Sequence, residues 1–126
     1  MKYLLDVNAL LAWGQIRSQH NARFHKWAAK VAHQNLRTCA TVELGFLRIS
    51  MQAYGLSLGE AQTALAYLKR QAGGFIADAP SPNLAEWSTT ASKTTDAYLC
   101  QLAHAHGMQL ATFDNAIKDT AAYLIS

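Results

Sequence analysis

Short apolar runs recur along this chain with helix-forming stretches between them, and an acidic residue follows the first, second and fourth. The runs are Lys2–Leu5, Arg37–Ala40, Phe75–Ala77 and Gln109–Thr112; the acids are Asp6, Glu43 and Asp114. Parallel strands need a crossover of about a dozen residues or more, usually a helix, whereas antiparallel ones close through a tight turn. Every gap here is of crossover length, so the pattern predicts an α/β fold: a three-layer α/β/α sandwich around a central, mainly parallel sheet of four to five strands.

The helical segments carry their own signals. Phe24, Trp27, Ala28 and Val31 follow helical spacing within a helix from about Asn21 to His33. Shorter helix is expected over Ala9–Trp13, and a longer one from Val42 to about Ala53 presents Leu44, Leu47 and Met51. Ser57-Leu58-Gly59-Glu60 fits a capping box opening a helix that closes near Gly73-Gly74. Asn83–Glu86 reads as a further helix start, Ser88–Thr95 as a loop, and Asp96–His106 as helix ended by Gly107. Asn115–Lys118 reads as a short helical turn, and Ala122–Ile125 as an edge strand.

At 126 residues, 51% apolar and 15% charged, the chain reads as one domain over 1–126 with a substantial core. That composition excludes disorder. No apolar run reaches the roughly 18 residues of a membrane span. Met1–Leu5 imitates a signal peptide until Asp6 interrupts it, so a cytoplasmic protein is expected. Cys39 and Cys100 form no CxxC and read as buried small hydrophobes.

The acids carry the functional argument. Ligands of open parallel sheets bind outside the carboxyl ends of the strands. Asp6 ends the first strand, Glu43 lies three residues past the second, and Asp114 two past the fourth. Asp96 joins them if the helix it opens starts near that edge. Each alone also suits a structural role, Asp96 as a helix cap and Glu43 at a helix N-terminus. Together they form a carboxylate cluster, costly without a cation. Mg²⁺ takes oxygen ligands, keeps several waters and binds through one or two carboxylates plus substrate phosphate. Setting those four aside leaves Glu60, Asp78, Glu86 and Asp119 against eleven Lys and Arg, an excess of seven positive charges. An acidic pocket in a basic body suits a metal-dependent enzyme acting on a polyanion such as RNA.

Leu4-Leu5-Asp6-Val7-Asn8, Thr41–Ile49 around Glu43, Thr95-Asp96-Ala97-Tyr98-Leu99 and Ala111-Thr112-Phe113-Asp114 together resemble the four motifs of PIN-domain ribonucleases, in order and across the whole chain. The VapC-type toxins of toxin–antitoxin pairs are the most similar branch. The resemblance implies an endoribonuclease dependent on Mg²⁺ or Mn²⁺, with Asp6, Glu43, Asp96 and Asp114 as catalytic metal ligands. It implies that Asn8 and Thr112 orient ligands or waters, that a VapB-like antitoxin is the partner, that tRNA or ribosomal RNA is the substrate, and that the toxin is a homodimer.

Around that set, Lys93 and Arg48 are candidates for RNA phosphate, and Trp13 for a base or a partner surface. Their alternative reading is ordinary surface or core. The stretch from about Asn21 to Leu68 combines core with a groove for an antitoxin helix. His104 and His106, two apart on a helix, point away from each other, and His20, His25 and His33 read as solvated or locally satisfied. Two rival functions are a haloacid-dehalogenase-like Mg-dependent phosphatase, which needs a second Asp where Asn8 stands, and a catalytically silent RNA- or partner-binding module.

Overall fold

A computed structural model describes residues 1–126. Five parallel strands form one sheet: β1 (Tyr3–Leu5), β2 (Leu36–Cys39), β3 (Gly74–Ile76), β4 (Gln109–Thr112) and β5 (Ala122–Leu124), in the order β3-β2-β1-β4-β5. Five helices connect them: α1 (Val7–Gly14), α2 (Asn21–Val31), α3 (Ala40–Tyr54), α4 (Leu58–Gln71) and α5 (Thr94–Ala105).

The order of the strands places the helices. The chain steps from β1 to β2 to β3 in one direction, carrying α1 to α4, and these four pack on one another. It then returns past β1 to β4 through α5, which packs on β4 and β1. Parallel crossovers are right-handed, so reversing the direction of travel puts α5 on the opposite face. The expected three layers follow, and β1 lies at the switch point where the two directions part.

The core runs through both interfaces. Leu4, Leu5, Leu10, Phe24, Leu36, Val42, Phe46, Leu99, Leu102 and Leu110 are all fully buried. Central strands of a parallel sheet are covered on both faces, which is why Leu4-Leu5 in β1 and Leu110-Ala111 in β4 are consecutive apolar residues, all buried. Cys39 and Cys100 are buried free thiols, as expected. Burial raises both pKa values, Cys100 to about 12.

The caps also follow from sequence. Ser57 Oγ accepts from Glu60 N at 3.1 Å and Glu60 Oε1 from Ser57 N at 2.8 Å, completing the capping box of α4. Gly55, at φ 70°, closes α3 in the left-handed region.

Two expected helices are absent. The stretch around Asn83–Glu86 is irregular because α5 side chains take its backbone groups. Asn83 N donates to Gln101 Oε1 at 2.8 Å, Gln101 Nε2 to Ser81 O at 3.0 Å, and Tyr98 OH to Pro80 O at 2.9 Å. At Asn115–Lys118 the chain makes only a turn, because Asp114 Oδ1 accepts from Ala116 N at 2.9 Å and bends the backbone locally. Ser88–Thr95 is likewise only part loop: a 3₁₀ turn over Ala91–Lys93 leads directly into α5, which begins at Thr94.

Candidate active site

Parallel pairing of Leu5 with Ala111 sets Asp6 beside Thr112 at the carboxyl edge of the two central strands. Asp6 N donates to Ala111 O at 2.9 Å and so continues the ladder one residue past β1. Asp6 is 4% exposed and also caps α1, its Oδ1 accepting from Val7 N at 2.7 Å. Thr112 Oγ1 donates to its Oδ2 at 2.8 Å.

Thr112 and Asn8 tie the two strand ends together. Thr112 Oγ1 accepts from Asp114 N at 3.0 Å and from Asn8 Nδ2 at 3.1 Å, using both its lone pairs. Asn8 Oδ1 accepts from Phe113 N at 3.1 Å. The turn that carries Asp114 is therefore held by the residues flanking Asp6. Outside it, His20 lies flat on the Phe113 ring, centroids 4.3 Å apart, and the Arg23 guanidinium sits 5.2 Å from the ring centroid. Nothing in the sequence pattern marks this brace, because it joins residues some ninety positions apart.

Asp96 enters from the other layer. It stands in the first turn of α5, and the cap position is Lys93. Asp6, Asn8, Asp96, Asp114 and Arg48 line one cavity of about 490 Å³. Burial and the charges of Asp6 and Asp114 push the Asp96 carboxyl up to about 6, and no side-chain or backbone group donates to it. Burial also raises Asp6, against the lowering effect of Thr112 and Val7 and with the Asp114 charge adding to it. Two carboxyls whose ionisation burial disfavours, one of them without a partner and both beside Asp114, make a site that a cation relieves.

The donors would suit an ion that keeps several of its waters rather than one enclosed by protein ligands. No three Asp, Glu, His or Cys side chains converge tightly enough to enclose a metal by themselves. Mg²⁺ and Mn²⁺ need only one or two carboxylates, with water and substrate oxygen supplying the rest.

Glu43 stands apart from this group. Its Oε2 accepts from the buried Thr38 hydroxyl at 2.7 Å, and its Oε1 meets Lys69 Nζ of α4 at 3.2 Å. It does not line the cavity of the three aspartates. Lys93 lines an adjoining pocket with Asp96 and Asp114. Trp13 is 7% exposed, stacks on Phe24 in the core and does not line the cavity of the aspartates, so the expectation that it offers a base a surface there is corrected. The sequence reading placed it there because it follows the Asp6 strand closely, but the rotation of α1 turns it inward.

A family model for the PIN domain matches residues 3–123. Ribonuclease VapC38 of Mycobacterium tuberculosis is 32% identical over 125 residues, covering 90% of this chain and 86% of its own. Ribonuclease VapC39 of the same organism is 30% identical over 132 residues (97% and 95%), and Ribonuclease VapC44 is 31% identical over 139 (96% and 92%). With one match spanning nearly the whole chain and relatives alike over nearly their full length, this chain belongs to the PIN domain family, among its VapC-type members.

Proposed function

We propose that this chain is a metal-dependent endoribonuclease, the toxin of a toxin–antitoxin pair. The observation that carries the reading is the cavity shared by Asp6, Asp96 and Asp114, in a chain alike over most of its length to proteins named ribonucleases. Asp6, Asp96 and Asp114 would hold Mg²⁺ or Mn²⁺; Glu43 would join them only by exchanging Lys69. Such an ion, when bound, makes water more acidic and offsets charge on a phosphoryl oxygen.

The chain's own residues do the rest. Asp6 is held rigid by Val7 N and Thr112, so one carboxylate of the set has a fixed position before substrate arrives. Asp114 is held through its backbone N–H, and Asp96 is free to accept from a water. A water oxygen attacks phosphorus in line, its proton passing to solvent or to Asp96. The P–O3′ bond breaks and the leaving O3′ takes a proton from solvent water, giving a 5′-phosphate and a 3′-hydroxyl. The RNA 2′-hydroxyl takes no part as nucleophile.

The partner reading follows the same branch. An antitoxin would cover apolar surface that the fold leaves open on α3 and at the start of α4, where Leu44, Met51 and Leu58 are exposed. A homodimer would draw on the same kind of surface. No helix is long and apolar enough to cross a membrane.

The test is cleavage of total cellular RNA by wild type and Asp6→Asn, with Mg²⁺, with Mn²⁺ and with chelator. Cuts that need the metal, carry 5′-phosphate ends and vanish in the variant are expected. Undiminished metal-dependent cutting by both Asp6→Asn and Asp96→Asn would overturn the assignment, and mapping the ends names the RNA.

A further inference from the structure

Two of the three aspartates, Asp96 and Asp114, stand where two pockets adjoin, while Asp6 lines only the larger one. The cavity of about 490 Å³ runs from them toward Arg48 and Ile49 of α3. A second, of about 260 Å³, runs toward Lys93, Trp87 and Ile117. Ser92, Asp96 and Asp114 line both; Arg48 belongs only to the first and Lys93 only to the second. The two hollows therefore share Asp96 and Asp114, and each has one cation of its own.

Both cations are unspent. The molecule's ion pairs are Lys69 with Glu43 and His106 with Asp78, and neither Arg48 nor Lys93 makes a side-chain hydrogen bond or lies over an aromatic ring. Both are exposed, though each shares a hollow with Asp96 and Asp114. Cations that stay unpaired beside carboxylates have their charge available to an anion that comes from outside. A phosphate brought to the acidic centre is repelled there unless a metal cation offsets the carboxylates, whereas its neighbours on either side meet a positive side chain.

Resting on the ribonuclease reading above, we propose that the two hollows form one groove, open at both ends, in which Arg48 and Lys93 bind the phosphates on opposite sides of the scissile one. The substrate is then an unpaired stretch of RNA whose backbone continues in both directions from the cut. A single strand fits this arrangement because its phosphates can follow a groove between two hollows, while paired strands present a fixed helical surface. Arg48 and Lys93 are substrate-binding residues here, and holding the flanking phosphates aligns the central one with the water.

The experiment uses a short unpaired RNA in the Asp6→Asn background, with binding measured against salt for Arg48→Gln, Lys93→Gln and both together. Each substitution is expected to weaken binding and to lower the slope of log K against log salt by about 0.7, the value for one phosphate of a single strand. The second arm replaces single phosphates by neutral methylphosphonates. Neutralising a phosphate on one side of the cut should weaken cleavage by wild type and by Lys93→Gln but leave Arg48→Gln unaffected; on the other side the two variants should exchange roles. Unchanged slopes in both variants, or both variants losing sensitivity to the same side, would overturn the proposal while wild-type cutting leaves the ribonuclease reading standing. Both residues are exposed, so thermal melts of the variants are expected to match their background.

Discussion

Thr112 Oγ1 donates to Asp6 Oδ2 at 2.8 Å, joining the ends of two neighbouring parallel strands through a hydroxyl that is 1% exposed. The same oxygen accepts from Asp114 N and Asn8 Nδ2. One side chain therefore fixes one carboxylate and the backbone of another. Thr112→Val keeps the shape and removes every one of these bonds, leaving Asp114 N without its partner and Asp6 Oδ2 with only the longer bond from Asn8 Nδ2, at 3.5 Å. A loss of about 1–3 kcal/mol is expected for buried polar groups orphaned in this way. Urea unfolding measures it, with Thr112→Ser as the control that keeps the hydroxyl. A Val variant as stable as the Ser variant would show that the network does not hold the strand ends.

Asp96 makes the stability of the metal-free protein depend on pH. Its carboxyl is raised from 3.8 to about 6 by burial and by the charges of Asp6 and Asp114. Between those values the folded state binds more protons than the unfolded one, so stability contributed by the neutral acid is full below about pH 4 and lost as pH rises through 6. Because the group is partly exposed, screening reduces the effect to about 1 kcal/mol. In chelator, Asp96→Asn should match wild type at pH 4 and exceed it by that amount at pH 8. Adding Mg²⁺ at pH 8 should raise the melting temperature of wild type more than that of the variant. A difference that is the same at both pH values would rule out this origin.

Much of the site was legible because it depends on strand ends. Asp6 and Asp114 follow short apolar runs, and the rule that parallel strands present their carboxyl ends together places both without any knowledge of side-chain packing. Asn8 and Thr112 come only with the resemblance to the PIN-domain motifs, not from the strand pattern. What the sequence does not carry is rotation about helix axes and contacts between distant residues. Glu43 sits in the first turn of α3, yet the Thr38 hydroxyl and Lys69, twenty-six residues on, take both its oxygens. Trp13 is close to Asp6 in sequence, and its ring is packed away on Phe24. At Asn83 a good capping pattern yields to Gln101, which reaches the backbone N–H that the cap would have organised.

That placement of Glu43 ranks it below Asp96 as a metal ligand. Mn²⁺ affinity, read from the electron paramagnetic resonance of free ion, is expected to fall at least tenfold in Asp96→Asn and less than threefold in Glu43→Gln. The converse order would mean that Lys69 releases Glu43 when the ion binds. Since Glu43 is 12% exposed and its partner Lys69 43%, breaking the pair by Lys69→Met is expected to cost no more than about 1 kcal/mol in thermal or urea unfolding.

Gly45 couples the packing of the helical layer to the position of Asp6. A Cβ built there would lie 2.8 Å from Val7 Cγ2 and 3.2 Å from Cγ1, closer than carbon atoms pack. Val7 is β-branched and so has little rotamer freedom inside α1. Its backbone N–H is also the donor to Asp6 Oδ1. Gly45→Ala therefore has to separate α3 from α1 or shift Val7, and Val7 cannot move without disturbing the Asp6 carboxylate that accepts from its N–H. Overpacking of this kind costs about 1–3 kcal/mol, more than the gain in helix propensity of up to about 1 kcal/mol on replacing glycine. A lower urea midpoint is expected, together with weaker Mn²⁺ binding by protein still folded at 25 °C. Val7→Ala in the same chain removes the clashing methyls, and the double variant should recover most of both losses. Recovery of stability without recovery of Mn²⁺ binding would separate the packing of α1 on α3 from the geometry of the aspartates.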